Sequence, residues 1–374
     1  MDQRERFIVA QRHALYTMTE LCAHYGVSRK TGYKWLDRFQ EGGRAALRDQ
    51  SRAPHHCPHK ISADLAALLC SARRAHPTWG PGKLRDWLAP RQPGVRWPAL
   101  STMEDLFARA GLVKKRRRRR PIWHPGVVAP VTHQPNDLWT ADFKGHFRTR
   151  DGIYCYPLTI ADQHTRYLLT CQGLLATKGH GVRQVFEATF RAFGLPRAIR
   201  TDNGVPFATT GLHGLSQLNV WWMRLGIQHQ RIQPAQPQQN GVHERMHRTL
   251  KAGACRPPRG TLAAQQRAFN RFRTEFNEER PHQALHGRPP ASRYRPSPRP
   301  YPEQLPPLEY PGHFAVKRVT SAGTVRLGRR LLFVATALKH LDLGLDETGD
   351  GIWSLYFGTV LLGRVDERDH IIRE

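Results

Sequence analysis

Residues 233–251, QPAQPQQNGVHERMHRTLK, are the most informative segment of the chain for its fold. The stretch begins with glutamines and prolines, turns at an Asn-Gly pair and then has the pattern of a basic helix. That helix contains a single acidic residue, Glu244, and between residues 188 and 274 the only other acidic residue is Asp202. A basic region that retains two carboxylates at these positions indicates that both have a chemical task.

The composition indicates a partner of opposite charge. The chain has 374 residues, enough for two or more domains, and a formal net charge of +28. A protein this basic usually binds a polyanion, most often nucleic acid. Residues 1–135 carry 25 basic and 10 acidic residues, whereas residues 301–374 carry 9 and 10, so the binding surface is expected outside the C-terminal part. A solvated basic surface or a ribosomal-type protein explains this charge less well.

The cysteines and the hydropathy indicate the cellular compartment in which the protein is expected. The six cysteines form no Cys-x-x-Cys pair, which is typical of reduced thiols in a cytosolic protein. We find no signal peptide and no apolar run long enough to cross a membrane. The expectation is a cytoplasmic, nucleoid-associated protein without a membrane partner.

The segment TMTELCAHYGVSRKTGYKWLDRFQEGG, from Thr17, predicts a helix, a glycine-containing turn and a second helix capped by Ser28. This order is typical of a helix-turn-helix domain, although an ordinary helical hairpin shares it. The second helix would present its first residues to a DNA major groove. The candidate DNA-binding residues there are Arg29, Lys30, Thr31 and Lys34.

Residues 60–113 predict a second helical or helix-turn-helix domain, whose last helix is expected to begin with a capping box of Ser101 and Glu104. The run KKRRRRRP follows, in which seven consecutive basic side chains repel one another until they contact phosphate. A solvated linker or a localisation signal has the same composition. Its position beside another basic domain favours an arm that follows the DNA backbone. The candidate contacts in the arm are Arg116, Arg117, Arg118, Arg119 and Arg120.

From residue 136 onwards strands and helices alternate. DLWTADFKGHF, CYPLTIAD and YLLTCQGLL predict three strands, and GHGVRQVFEATFRAFG predicts a helix. RAIRTDNG predicts a strand, HGLSQLNVWWMRLG a helix and IQHQRI a strand, and a long helical region follows from Gly241. This order is that of the α/β ribonuclease H-like fold.

Three acidic residues occupy distinctive places in that pattern. Asp142 lies in the first strand, Asp202 follows the fourth, and Glu244 lies in the first turn of the last helix. The first and fourth strands are neighbours in this fold, so the three carboxylates are expected to converge. Converging carboxylates repel one another and need divalent cations, for which Mg²⁺ is the natural choice beside phosphate. Asp162, another acid at a strand end, is better explained as a residue that orients a turn or that pairs with Arg166.

Four phrases between residues 136 and 294 carry a family resemblance: LWTADFKG, RTDNGVPF, PQQNGVHERMHRTLK and NEERPHQALHGRPPASRY. In order and context they resemble the DDE transposases and retroviral-type integrases, particularly bacterial insertion-sequence transposases with an integrase catalytic core. One feature departs from the family. The 41 residues between Asp202 and Glu244 are more than is usual, and we expect the extra ones in a surface helix and loop around ATTGLHGLSQLNVWW.

The resemblance implies a metal-dependent active site. Asp142 would bridge two Mg²⁺ ions per active site, and Asp202 and Glu244 would each complete one ion's coordination. Mn²⁺ is expected to substitute for Mg²⁺. The ions would activate the attacking oxygen and stabilise the leaving oxygen of a phosphodiester.

DNA is expected to lie along the helix that carries Glu244. Residues four and seven positions further on share its face and would bind the DNA end, and the loop before the helix would add an amide side chain. The candidate residues are Asn240, Arg248 and Lys251. His243 and His247, beside the acid, are candidates for DNA contact rather than metal ligands.

The C-terminal part predicts a different structure. Residues 295–312 are proline-dense and indicate a semi-rigid spacer. Beyond them, short alternating strands with glycine turns resemble the small C-terminal β-barrels of integrases and phage transposases. Its near-zero net charge favours a role in bridging subunits.

The sequence thus predicts a multidomain protein with N-terminal all-α helix-turn-helix domains, a central α/β ribonuclease H-like core and a small C-terminal β-barrel. The predicted segments are a helix-turn-helix domain at 1–50, a second helical domain at 60–113, a basic linker at 114–134, the integrase-type core at 135–294, a proline-rich linker at 295–312 and the barrel at 313–374.

The resemblance implies a transposase that binds terminal inverted repeats, cleaves the element ends and joins the 3′-OH to target DNA. Its partners would be double-stranded DNA, both transposon ends and target, and other copies of itself in a synaptic complex, at least a dimer. The alternatives are a catalytically inactive DNA-binding regulator derived from a transposase and a ribonuclease H-like nuclease.

Overall fold

The computed structural model describes residues 2–49, 61–113, 131–178, 180–209, 214–233 and 240–373. It divides into two compact units, Met1–Ser62 and Ala63–Glu374. Within the described ranges no helix is long and apolar enough to cross a membrane. The basic arm at Arg116–Arg120 and the loop before Asn240 lie outside these ranges, so the predictions for them stay predictions.

The first unit contains three helices, α1 (Gln3–Arg12), α2 (Met18–His24) and α3 (Arg29–Ala46). Their common core is built around Phe7, Ile8, Leu21 and Cys22. The turn between α2 and α3 contains Gly26 at a φ of +65°, a conformation that favours glycine. The Ser28 hydroxyl accepts a hydrogen bond from the backbone N–H of Thr31, and α3 loses helical geometry at Gly42 and Gly43.

The second unit begins with α4 (Ala63–Ala75), α5 (Pro81–Leu88) and α6 (Leu100–Arg109), packed around Trp79, Leu84, Met103 and Phe107. The capping box predicted at Ser101 and Glu104 is wrong. The backbone N–H of Met103 already donates to the carbonyl of Ala99, so the helix has begun before Ser101 can cap it.

The strands of the central sheet are β1 (Leu138–Phe143), β2 (Phe147–Arg148), β3 (Tyr154–Asp162), β4 (Leu168–Leu174), β5 (Ala198–Thr201) and β6 (Gln228–Arg231). β1 pairs antiparallel with β3 and parallel with β5, and β5 pairs parallel with β6. β4 pairs antiparallel with β3. The predicted order of strands along the chain is confirmed. The first predicted strand, β1, and the fourth, β5, are neighbours in the sheet, as predicted.

Helices cover both faces of this sheet. They are α7 (His180–Phe193), α8 (Gln217–Arg224), α9 (Gly241–Leu250) and α10 (Leu262–Thr274). Alternate β1 residues face opposite ways: Trp139 and Ala141 join the core under α7 and α8, whereas Thr140 faces α9. The helical region predicted after Gly241 consists of two helices, α9 and α10. A π-helical turn, Lys251–Cys255, ends the first of them.

The prediction that α8 lies on the surface is wrong. Leu218, Trp221 and Trp222 join the core of the central sheet, while Val220 joins a second core formed by the C-terminal strands. A helix buried on both sides needs apolar residues on both faces, which explains the run VWWM.

The C-terminal region is all-β. Its strands are β7 (Ala315–Arg318), β8 (Thr324–Leu327), β9 (Arg330–Phe333), β10 (Asp342–Gly349), β11 (Ile352–Phe357), β12 (Val360–Asp366) and β13 (Ile372–Arg373). Among the described residues, five strands form an antiparallel sheet in the order β13-β12-β11-β10-β7, and β8 pairs with β9 separately. Closure of these strands into a barrel stays a prediction.

Candidate active site

Asp142, one of the three predicted catalytic acids, is half-buried. It lies near the end of β1, and 20% of its side chain is exposed. Burial, followed by the charges of Asp202 and Glu244, raises the pKa of Asp142 to about 7; the backbone N–H of Phe143 and the charge of Lys144 act in the opposite direction. The structure therefore brings Asp202 and Glu244 close enough to Asp142 for their charges to act on it.

The strand register explains how Asp142 and Asp202 meet. Thr140 of β1 pairs with Arg200 of β5 in a parallel ladder, so the carboxyl ends of both strands reach the same edge of the sheet. Asp202 follows β5 directly, and its Oδ1 accepts a hydrogen bond of 3.2 Å from the backbone N–H of Gly204. This bond orients the carboxylate at the strand end.

Glu244 reaches the same edge from α9. It lies in the first turn of this helix and is exposed to solvent. A carboxylate at a helix N-terminus is stabilised by the helix dipole. The exposed position leaves its oxygens available to a cation or to substrate.

Two buried histidines fasten α9 to the sheet. The Nδ1 atom of His243 lies 2.8 Å from Oγ1 of Thr140, and its Nε2 atom lies 2.7 Å from Oγ1 of Thr159. The Nε2 atom of His247 is also 2.7 Å from that Thr159 hydroxyl, which donates to the carbonyl oxygen of Asp142. Burial lowers the pKa of His243 to about 3, so its imidazole is neutral near pH 7.

The prediction that these histidines contact DNA is wrong, because only 1% of His243 and 6% of His247 is exposed. Sequence reasoning missed their anchoring role, since a histidine beside a catalytic acid in a basic helix has the appearance of a substrate contact. The signal that could have revealed it is the polar pair Thr140 and Thr159 inside two otherwise apolar strands.

Two sets of ligands are available to a metal ion. Within the described residues, ligand atoms of Asp142, His243 and His247 lie within 4.8 Å of one another. The histidine set is the poorer candidate, because both nitrogens of His243 already contact threonine hydroxyls. The carboxylates of Asp142, Asp202 and Glu244 offer the oxygen donors that suit Mg²⁺, and a cation among them would relieve the repulsion that raises the pKa of Asp142.

The DNA-binding candidates differ in their exposure. Arg248 and Lys251 are exposed and follow Glu244 on α9. In the first unit, Arg29, Lys30 and Lys34 on α3 are also exposed. Thr31 is half-buried, and its hydroxyl lies 2.9 Å from that of Ser28. Asn240 is only 6% exposed, and its Oδ1 atom lacks a hydrogen-bond partner among the described residues. DNA contact by these residues stays a prediction, and Thr31 and Asn240 are the least accessible of them.

Asp162, which the sequence analysis assigned a structural rather than a catalytic role, has that role. Asp162 is buried and accepts hydrogen bonds from the backbone N–H and the hydroxyl of Thr165, which confirms the turn. Lys144, which no motif singled out, follows β1 and contributes positive charge at Asp142.

Comparison with known proteins identifies the domains. The family described as "Integrase core domain" matches residues 132–237 and, in a second model of that description, residues 225–290. A helix-turn-helix domain matches residues 4–55 and a homeodomain-like domain matches residues 31–106. The chain is therefore a protein with an integrase core domain preceded by helix-turn-helix domains.

Two similar proteins come from bacterial insertion elements. The chain is 28% identical over 243 residues to the insertion element IS476 uncharacterized 39.2 kDa protein of Xanthomonas euvesicatoria, covering 63% of this chain and 65% of the relative. It is 28% identical over 182 residues to the insertion element IS407 uncharacterized 31.7 kDa protein of Burkholderia multivorans, covering 48% and 63%. The chain is thus similar to proteins of insertion elements, and it spans less than two thirds of the length of these two relatives.

A similar solved structure is the integrase catalytic core domain of HTLV-2 in complex with magnesium. It is 17% identical, and the match covers 43% of this chain and 98% of that chain with a TM-score of 0.35.

Proposed function

We propose that the protein is a DNA transposase that binds the terminal inverted repeats of an insertion sequence, cleaves a phosphodiester at each end and joins the 3′-OH to target DNA. The convergence of Asp142, Asp202 and Glu244 at one sheet edge carries this proposal, because that set suits metal-dependent phosphodiester chemistry. The insertion-element relatives support it.

The three carboxylates would hold two Mg²⁺ ions, with Asp142 shared between them. When bound, the ions supply Lewis-acid activation of the attacking oxygen and neutralise charge on the phosphorus centre. His243 and His247 keep α9, and with it Glu244, at a fixed distance from β1. Arg248 and Lys251 would bind phosphates on either side of the scissile bond and hold the DNA end in line.

The two proposed steps follow one pattern. In cleavage, a water oxygen attacks phosphorus, the bond from phosphorus to the 3′-oxygen breaks, and that oxygen leaves as a 3′-hydroxyl. In joining, this hydroxyl attacks a target phosphodiester and displaces the target strand's own 3′-oxygen. The leaving oxygen gains a proton each time, and the enzyme forms no covalent bond to DNA.

The other segments would supply recognition. The exposed cationic residues at the start of α3 would enter the major groove of the end repeat. The Arg116–Arg120 arm would add phosphate contacts. Because two ends must be joined together, at least two copies of the chain would assemble on DNA, with the C-terminal β region bridging them.

The test is a cleavage and joining assay with the full chain on duplexes that carry the inverted repeats flanking its gene. We expect Mg²⁺-dependent nicking at the repeat boundary and joined products, and Mn²⁺ should substitute. Specific binding without nicking in either metal would identify a DNA-binding regulator. Cleavage with no joining of a pre-cut end would identify a nuclease.

A further inference from the structure

A cavity of about 270 Å³ lies on the side of α9 that faces away from the carboxylates. It is enclosed by α5, α9, the turn between β3 and β4, and the chain that follows α10. We call it the α9 cavity. The charged and titratable side chains around it that matter here are Lys83, Asp162, Arg166, Arg245, Arg280 and His282.

The helical period separates the α9 cavity from the active site. Arg245 and Thr249 line the cavity and are four residues apart on one face of α9. Glu244 and Arg248 are also four residues apart, and their face is turned about 100° away, since each residue advances a helix by that angle. The α9 cavity is therefore a site separate from the one beside the carboxylates.

Four cations surround the cavity, and among the described residues none of them forms an ion pair with a carboxylate: Lys83, Arg166, Arg245 and Arg280. The Lys83 ammonium donates to the carbonyl of Pro281, and Nη1 of Arg166 donates to the carbonyl of Gln163 at 2.6 Å. These carbonyl contacts satisfy donors. The charges of Asp86, Asp162 and Glu275 act on Lys83, Arg166 and Arg280, but without forming an ion pair with them.

The acidic side chain in the lining, Asp162, is already engaged. Its Oδ2 accepts from the backbone N–H of Asn136 at 2.8 Å, and its Oδ1 accepts from the N–H and the hydroxyl of Thr165 at 2.7 and 2.6 Å. The charge of Asp162 acts on Arg166 but leaves the cavity with an excess of positive charge.

The cations are also partly removed from water. Burial, and then the charge of Arg280, lowers the pKa of Lys83 to about 8. Burial lowers the pKa of Arg280 and of Arg166, against the opposing charges of Glu275 and Asp162 respectively, and the charge of Arg245 adds to the lowering at Arg166. Like charges gathered in a desolvated space are unfavourable unless an anion joins them. The buried Nε2 atom of His282 is a further polar atom that lacks a partner in the described chain.

We propose that the α9 cavity binds a phosphate group. Three guanidinium groups present planar pairs of N–H donors that match phosphate oxygens, and the Lys83 ammonium adds a fourth positive charge. A phosphate hydroxyl or a bound water would donate to Nε2 of His282. The phosphate comes either from the backbone of bound DNA or from free phosphate in solution; only the first source rests on the function proposed above.

The first experiment measures inorganic phosphate binding to the full chain by calorimetry, with chloride of matched ionic strength as the reference. We expect saturable binding that becomes at least about tenfold weaker in Arg245→Gln and Arg280→Gln, because each removes a charge-assisted contact. Arg245 is exposed, so its variant should fold even if Arg280→Gln does not. The matched control is Arg271→Gln, an exposed arginine on α10 outside the cavity, which should bind phosphate as the wild type does.

The second experiment separates the two sources. If a backbone phosphate occupies the cavity, saturating duplex DNA should displace inorganic phosphate, and Arg245→Gln should reduce the slope of log affinity against log salt by about 0.9. If free phosphate is the ligand, phosphate binding should persist on the DNA complex and the slope should not change. The proposal is overturned if wild type and cavity variants share one phosphate response and one salt slope. Glu244→Gln should retain phosphate binding, which distinguishes this site from the catalytic one.

Discussion

His243 joins α9 to β1: its Nδ1 atom lies 2.8 Å from the hydroxyl oxygen of Thr140, two residues before Asp142. Glu244 follows His243 directly in the chain. The buried contact therefore sets the distance between the carboxylates of Asp142 and Glu244.

Replacement of His243 should affect both stability and catalysis. His243→Ala removes one hydrogen bond from each of the hydroxyls of Thr140 and Thr159 and opens a cavity, so we expect the free energy of unfolding to fall by about 1–3 kcal/mol. The chemical step should slow while end binding is nearly unchanged, because Glu244 is less well placed. Urea unfolding and single-turnover cleavage measure the two effects. The control is His180→Ala, an exposed histidine in α7; equal losses in both variants would contradict the anchoring role.

Removal of the carboxylates should separate catalysis from binding. Asp142→Asn, Asp202→Asn and Glu244→Gln should each abolish cleavage and joining, because each removes a metal ligand, while end binding in a gel-shift assay stays close to wild type. Glu303→Gln, an exposed acid far along the chain, serves as the control. Wild-type joining by Glu244→Gln in Mg²⁺ would rule out Glu244 as the third ligand.

Much of the site could be predicted from sequence because it depends on local order. Asp142 and Asp202 end strands with clear patterns, and the parallel pairing of those strands follows from the fold. The burial of Val220 on the other face of α8 could not be predicted, because this residue packs against strands that begin about a hundred residues later. Separate helices after Gly241, and the start of α6 ahead of Ser101, likewise depend on packing that the local pattern does not contain.

The pH dependence of stability should reflect buried neutral histidines such as His229. Burial, and then the charge of Arg231, lowers the pKa of His229 from 6.5 to about 4. Because the folded-state pKa lies below the unfolded one, its stabilising contribution is complete above pH 6.5. It is lost as the pH falls towards 4, by up to about 3 kcal/mol.

The measurement is urea unfolding between pH 7.5 and 4.5, followed by the fluorescence of Trp222, whose ring centroid lies 5.4 Å from that of His229. His229→Gln should show a smaller loss of stability over this interval than wild type. His286→Gln replaces an exposed histidine and should keep the wild-type profile. An identical pH profile in His229→Gln and wild type would show that another group controls the acid transition.

The basic arm should contribute affinity without sequence preference. Replacement of Arg116–Arg120 by alanine should weaken binding to cognate and scrambled duplexes alike, since phosphates carry no sequence information. Each phosphate that the arm no longer neutralises should lower the slope of log affinity against log salt by about 0.9. Fluorescence anisotropy at several salt concentrations gives the slope, and an unchanged slope would show that the arm is a passive linker.

Sequence discrimination should depend instead on the start of α3. Lys34 is exposed one turn into this helix, where a side chain reaches base edges if the helix enters the major groove. Lys34→Ala should therefore reduce the preference for cognate over scrambled ends by about 1–3 kcal/mol, the range for removal of a good base contact. Arg248→Ala, beside the catalytic acid, should reduce joining more than discrimination. Lys339→Ala, in the C-terminal region, provides the matched control and should change neither quantity. Footprinting of the full-length variants on both ends measures the preference. If Lys34→Ala discriminates as well as wild type, Lys34 does not read a base, and the contacts that specify the repeat must be sought elsewhere in the assembled complex.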